Sequence, residues 1–387
     1  MKKTVKLNDI LSITRGASPR PISNYITNES DGVNWIKIGD VDPNSFFITH
    51  TEEKITKEGA KKSRYVKEGD FILSNSMSFG RPYILKINGC VHDGWLILSD
   101  YENHVTSSYL YYLLRSPTVQ SQFDGSANGA TVRNLNSDIV RNVSVSIHNN
   151  KTEQQKIAAH LDSIQSAIDN KKQQLAQFDE LVKSKFVEMF GENPVENGKW
   201  KVEKLNEITD VRDGTHDSPS YYSEGYPFIT TKNLIDGKID FSTASLICKE
   251  DYEHFDKRSH VDDGDILMPM IGTIGGAVLV KKDRDFAIKN VSLIKRRIDD
   301  MNFIYLLSVL NSDFMNFHFE QFKIGGTQKF ISLSLIRSLP IPVPPIDLQN
   351  DFAAYVQKID SAKSIIKTQL NDLNELLESK MDFYFGE

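Results

Sequence analysis

The stretch "KFVEMFGE" (185–192) returns as "KMDFYFGE" (380–387). Each copy begins with lysine, carries large apolar residues among its next few positions and closes on Phe-Gly-Glu. The offset is 195 residues, about half the chain, and sliding the sequence against itself near that offset extends the match through both halves. "KLNDILSITRG" (6–16) meets "KLNEITDVRDG" (204–214), and "EGDFILSNSMSFG" (68–80) meets "DGDILMPMIGTIG" (263–275). "TVRNLNSDIVRNVSVSI" (131–147) meets "TQKFISLSLIRSLPIPV" (327–343), and "QQKIAAHLDSI" (154–164) meets "LQNDFAAYVQKI" (348–359). The offset drifts between 193 and 198, as it does when loops differ in length. The chain is a tandem duplication. Its period is far longer than the 20–50 residues of a solenoid repeat, so each copy is a whole domain plus a connector.

The first part of each copy is mixed. Short apolar runs such as "WIKIGDV", "DFILS", "ILKI" and "WLILS", bounded by Gly, Asp and Asn, predict strands. Helical stretches follow, "SSYLYYLLRSPTVQSQF" (107–123) and "MNFIYLLSVLNSDFMNFHF" (301–319), each leading into a glycine-containing loop. The second part has a different rhythm. Ile157, Leu161, Ile164, Ile168, Leu175, Phe178 and Val182 recur in the four-and-three step of a coiled-coil seam, and Phe352, Val356, Ile359, Ile366, Leu370, Leu373 and Leu377 share that phase. Lys171 interrupts the first seam and Lys363 the second. One such stripe describes a face of any long helix, but two of matched length in a duplicated chain favour mutual packing. A helix of ~33 residues is about 50 Å long, a spacer rather than a domain wall. "IPVPPID" (341–347) predicts a stiff, non-helical lead-in to the second helix.

Composition narrows the function classes. With 387 residues, 39% hydrophobic and 25% charged, the chain suits two to four soluble domains. The longest uncharged run, "ILMPMIGTIGGAVLV" (266–280), is short and broken by proline and glycine, a poor membrane span. "MKKTVKLNDI" lacks the apolar region of a signal peptide, and Cys90 and Cys248 lack metal or redox spacing, which together predict a reducing cytoplasmic setting with plain buried thiols. The net charge of −6 argues against a wholly basic surface. Residues 1–150 carry 17 Lys+Arg against 15 Asp+Glu, whereas 347–387 carry 4 against 8, so a DNA-facing surface must be a local patch.

Catalytic signatures are missing. The sequence has no G-x-x-x-x-G-K-[ST], no H-E-x-x-H and no G-x-S-x-G. "VPPI" (343–346) lacks the flanking polar and aromatic residues with which an amino-methyltransferase holds an exocyclic amine. Asp93 and Asp265 sit near turns, where single aspartates ordinarily cap. What remains are polar, glycine-bearing loops. The first copy offers Arg15, Arg20, Asn75, Ser76, Ser78, Arg81, Asn128, Thr131, Arg133 and Asn134; the second offers Arg212, His216, Lys232, Asn233, Thr273, Gln328 and Lys329. Arg, Asn, Gln and Lys bond base edges, while Ser, Thr and glycine N–H groups suit phosphates. Polar loops are also polar simply because they are wet. The halves nevertheless agree in framework and differ in loop chemistry, as one scaffold reading two targets would.

The whole pattern resembles the specificity subunit (HsdS) of type I restriction-modification enzymes. "PIPVPPIDLQ" and "TEQQKIAAHLDSIQSAID" match its domain-to-helix junction, and "GATVRN" and "GGTQKF" its recurrent loop before that junction. "IHNNKTEQQK" departs by lacking the junction's prolines. The resemblance implies an α+β fold: two tandem mixed α/β target recognition domains, at 1–150 and 193–346, separated by two long helices, at 151–192 and 347–387. These helices would form an antiparallel coiled coil with pseudo-twofold internal symmetry. Each domain would read one half of a bipartite double-stranded DNA site, and the helices would set the spacing and dock two methylation subunits (HsdM), with restriction subunits (HsdR) joining. The chain would be non-catalytic and hold no cofactor or metal, S-adenosylmethionine and ATP belonging to the partners. The alternative on composition is a two-headed adaptor binding proteins or other ligands across a coiled-coil spacer.

Overall fold

The computed structural model describes residues 2–42, 45–75, 80–127, 135–271, 276–297, 300–321 and 331–386. It divides into two compact units, Met1–Lys172 with Lys367–Glu387, and Gln173–Ile366. The duplication is visible in how each is built. In unit 1 the strand Lys2–Lys6 pairs antiparallel with Ser144–His148; in unit 2 Lys201–Lys204 pairs with Pro340–Val343. Pro340 and Pro342 alternate along the latter, so both missing N–H groups fall on the same side of a two-stranded ribbon, where the ladder tolerates them.

The main sheet of unit 1 runs in the order Ser12–Arg15, Trp95–Ser99, Phe71–Ser74, Pro82–Leu85, Phe47–Ile48. Its counterpart in unit 2 runs Thr209–Asp213, Val291–Arg296, Ile266–Pro269, Val278–Leu279. A second sheet in each unit contains a parallel pair, Val33–Ile36 with Gly89–Val91, and Tyr226–Ile229 with Ala287–Ile288. The first strand of each main sheet exits through a glycine that no other residue could replace. An added Cβ at Gly16 would lie 2.2 Å from the His92 carbonyl oxygen, and at Gly214 2.4 Å from that of Ile288. The strand-edge carbonyls of Ile13 and Val211 are held by Arg141 (2.8 Å) and Arg337 (2.8 and 3.1 Å), again in matched positions.

Two expected helices are each broken in two. Ser107–Arg115 ends at Ser116, and Pro117, whose missing N–H is harmless in a first turn, starts Pro117–Ala127. The second stretch divides into Phe303–Leu310 and Asp313–Gln321, with Asn302 capping the first. Cys248 is half-buried rather than buried, and its sulfur caps a helix by accepting from the Asp251 N–H; Cys90 is buried.

The long helices are Lys151–Phe190 and Ile346–Phe385, 40 residues each rather than ~33; the polar opening KTEQQK of the first and the proline-led opening of the second precede the seam that marks them in sequence. The second starts directly after Pro345, so Ile346 and Asp347 of the supposed non-helical lead-in are helical. A buried glutamine locks each helix onto its domain. Gln154 donates to the carbonyls of His104 (3.0 Å) and His148 (2.7 Å) and accepts from the Thr106 N–H (2.9 Å). Gln349 donates to Asp300 (3.3 Å) and Pro344 (2.8 Å) and accepts from Asn302 (2.9 Å).

Within unit 1, Ile157, Leu161, Ile164 and Ile168 are buried in one core with Leu377, Met381 and Phe385, and Leu370 and Leu373 pack against it. His160 Nδ1 lies 2.9 Å from the Tyr384 hydroxyl, so the opening turns of the first helix meet the closing turns of the second. Within unit 2, Phe186 and Phe190 pack edge-on against Phe352 at 5.7 and 5.5 Å, and Val182 and Val356 border that core. Lys185 covers the Tyr355 ring and Lys363 pairs with Asp179, again opposite in direction. Leu175, Phe178, Ile359 and Ile366 are half-buried in unit 2. The echoed Phe-Gly-Glu ends now have a place. Phe190, closing the first helix, packs 4.8 Å from Tyr305, while Phe385, closing the second, packs 5.1 Å from Tyr109. Gly191, at φ +96°, turns the chain out of the first helix.

Candidate nucleic-acid interface

In each unit the described ends of the candidate loops meet at one corner of the sheets. In unit 1 the N–H of Leu135 donates to the Asn75 carbonyl (2.9 Å) and that of Asn75 to Gly94 (3.2 Å), while Gly16 donates to Trp95 (2.8 Å). The chain around Arg15–Arg20, the end of Phe71–Ser74, the 92–94 turn and the residue after position 134 therefore converge. In unit 2 Ile331 donates to Met270 (2.9 Å), Gly214 to Val291 (2.9 Å), and Pro269 pairs with Val291, reproducing the corner.

The side chains of unit 1 gather on Asp93. Arg20 Nη2 donates to Asp93 Oδ2 (2.8 Å), Ser18 Oγ to Oδ1 (2.8 Å), and His92 Nε2 lies 3.1 Å from Oδ1. Arg15 Nε and Asn75 Nδ2 donate to the Asp93 carbonyl at 3.0 and 3.3 Å. Burial would raise the Asp93 carboxyl, but the Ser18 hydroxyl, His92 and Arg20 outweigh it and hold the group below its ordinary value. Arg15 and Arg20 are exposed, and the Arg81 guanidinium covers the Tyr83 ring at 5.3 Å.

Unit 2 builds its corner from different residues. Arg212 donates to Asp210 Oδ2 through Nε (2.9 Å) and Nη2 (2.6 Å), and Nη1 reaches the Arg258 carbonyl (3.5 Å). Arg258 in turn pairs with Asp213, whose other oxygen lies 3.2 Å from His216 Nε2. His216 Nδ1 is 2.6 Å from Asn290 Oδ1, and the Thr231 hydroxyl donates to the Asn290 carbonyl (3.5 Å), bringing the turn with exposed Lys232 alongside.

Two expected base-reading residues are instead internal. Asn233 is 4% exposed: its carbonyl accepts from the Thr230 N–H and hydroxyl, and its amide donates to Asp240 and Thr243. Asn75 is likewise 4% exposed and holds the corner together. A short polar side chain beside a sheet is the cheapest way to satisfy turn carbonyls, which sequence alone does not distinguish from a reading role. Ser76, Ser78, Asn128, Thr131, Arg133, Asn134, Thr273, Gln328 and Lys329 lie outside the described residues. Asp93, which reads in sequence as a capping turn residue, and Asp213, Arg258 and Asn290, which carry no sequence signature of a site, are the partners that hold these corner side chains. Asn290 has one usable signal in its residue type, since asparagine tolerates the left-handed turn conformation that the structure gives it at φ +53°. Among the described residues no group of three or more His, Cys, Asp or Glu is placed to hold a metal ion, and no helix is long and apolar enough to cross a membrane.

Two mixed α/β units, each with described polar side chains gathered at one corner of its sheets and a long helix leaving it, define a duplicated two-domain architecture. A model of the type I restriction modification DNA specificity domain matches residues 2–179 and again 197–375. The chain belongs to this family, as a specificity subunit with two copies of that domain. It is 21% identical over 408 aligned positions to the EcoBI specificity subunit of Escherichia coli, covering 97% of this chain and 83% of that one. It is 25% identical over 258 positions to the MjaIX specificity subunit of Methanocaldococcus jannaschii, covering 60% of this chain and 58% of that one. A solved chain from a type I R-M system, studied for complex assembly and conformational transition, superimposes with TM-score 0.63 at 16% identity, over 98% of this chain and 96% of that one.

Proposed function

We propose that this chain directs a type I restriction-modification complex to a bipartite DNA site, with residues 1–150 reading one half and 193–346 the other. The observation that carries the reading is that the two corners share a backbone plan but differ in the described side chains that meet there: Arg15, Arg20 and Asp93 against Asp213, His216 and Asn290. Arginine, lysine and histidine at such corners suit base edges and phosphates. The loops outside the described residues would add their Asn, Gln, Ser, Thr, Arg and Lys side chains.

The helices 151–192 and 347–387 act as spacers, zipped as an antiparallel coiled coil with pseudo-twofold symmetry. Opposite running directions of the two helices within each unit support this. One B-DNA turn spans about 34 Å, so a spacer of this kind leaves unread base pairs between two read half-sites. Two equivalent helical faces suit two copies of one partner, the methylation subunits, with restriction subunits joining. S-adenosylmethionine and ATP belong to those partners, and the complex works in the cytoplasm. The test is an electrophoretic mobility shift of the chain assembled with its methylation subunits. Sequence-selective, salt-dependent binding to a duplex carrying its methylated motif supports the reading. Indifference to DNA in that complex supports the two-headed adaptor instead.

A further inference from the structure

Positions 93 and 290 occupy the same place in the two copies. The N–H of His92 donates to Ile36 (3.1 Å) just before Asp93, and that of Lys289 donates to Ile229 (2.9 Å) just before Asn290. Shortly after, Trp95, two residues past Asp93, and Val291, one past Asn290, accept from the matched glycines Gly16 and Gly214. Each residue then holds a side chain from the loop that follows the first sheet strand. Asp93 takes Arg20 and Ser18, and Asn290 takes His216.

Contacts that hold the fold keep their chemistry between the copies, as Gln154 and Gln349 do, and as Arg141 and Arg337 do. At this position the chemistry changes with the loop. The Arg20 side chain is 78% exposed, so its ion pair adds little to stability; its effect is to restrict where the guanidinium can go. A guanidinium has five N–H donors, and the bond to Asp93 engages one, which leaves enough for a bidentate pair with guanine O6 and N7.

We propose that Asp93 and Asn290 are positioning residues of the two recognition surfaces, Asp93 presenting Arg20 to a guanine edge in the major groove, so that the half-site read by residues 1–150 contains a G·C pair that depends on this ion pair. The inference rests on the DNA reading above.

The experiment uses the chain assembled with its methylation subunits. Its methylated motif is mapped by sequencing, and duplexes carrying single base-pair changes compete for binding. Asp93→Asn and Arg20→Ala should each lower the preference for G·C at one position of one half-site by roughly 5- to 100-fold, leaving the other half-site intact. Asn290→Ala should alter only the other half. A purely structural Asp93 would weaken all duplexes alike and leave the motif unchanged, which overturns the proposal. Should Asp93→Asn fail to assemble, the exposed Arg20→Ala decides alone, and an unchanged motif there overturns it too. A wild-type complex without selectivity defeats the underlying DNA reading instead.

Discussion

Gln154 and Gln349 show how much one side chain can hold. Each is fully buried and satisfies three backbone groups, one just before its own long helix and two in the segment that leads into the shorter helix Ser107–Arg115 or Phe303–Leu310. Leaving such groups unpaired costs about 1–3 kcal/mol apiece. Gln154→Ala should therefore lower stability by at least about 3 kcal/mol, read as a drop in the urea midpoint of unit 1; an unchanged midpoint would mean water replaces the amide. His148 supplies a pH response in the same unit. Burial, together with nearby Lys2, pushes its imidazole below the ordinary 6.5, and the Tyr109 hydroxyl lies 3.0 Å from Nδ1. The folded state thus prefers the neutral ring, and protonation favours the unfolded chain. Stability from this group is whole above pH 6.5 and declines as pH falls from 6.5 toward the depressed folded value. Thermal melts of wild type and His148→Gln across pH 5–7.5 should differ in slope only below 6.5.

At the scale of elements, the long helices are legible as paired stripes because a 3.5-residue repeat survives wherever one helix face stays dry. Burial is deepest at Ile157, Leu161, Ile168, Phe352 and Leu377, near the globular cores, and shallower at Leu175, Phe178, Ile359 and Ile366. The closing phenylalanines make the sharpest prediction. Phe190 belongs to the core around Tyr305 and Phe352, and Phe385 to the core around Tyr109. Deleting a buried phenylalanine ring costs about 3–5 kcal/mol. Phe190→Ala should loosen residues 193–346 and Phe385→Ala residues 1–150, each the half that does not precede its helix. Hydrogen exchange resolved by peptide reads this directly; loosening of the preceding half instead would contradict the packing.

For the whole molecule, duplication makes the two readers separable. Replacing residues 1–150 with those of a relative should change one half of the methylated motif and leave the other half and the gap as they were. Methylation mapping of the chimera checks it, and a change in both halves would mean that the readers are coupled. Net charge of −6 also has a consequence at this scale. A chain in which Asp and Glu outnumber Lys and Arg, 52 to 46, meets phosphates only through a local patch, so its affinity should fall with salt along a shallow slope while its base preference persists.

The duplication, the seam phase, the strand-rich domains and the missing catalytic motifs were determined by residue order alone, because periodicity and turn chemistry are local and survive without coordinates. Framework positions repeat, so comparing the two halves sorted scaffold from loop. Tertiary structure alone decided which polar side chains face outward. Asn75 and Asn233 look like readers in sequence but spend their amides on neighbouring turns, while Asp93 and Asn290, plain turn residues by position, take hold of Arg20 and His216. Those partners lie 70 or more residues apart along the chain, so hydrogen-bond satisfaction across a folded corner, which no linear pattern encodes, assigns the roles.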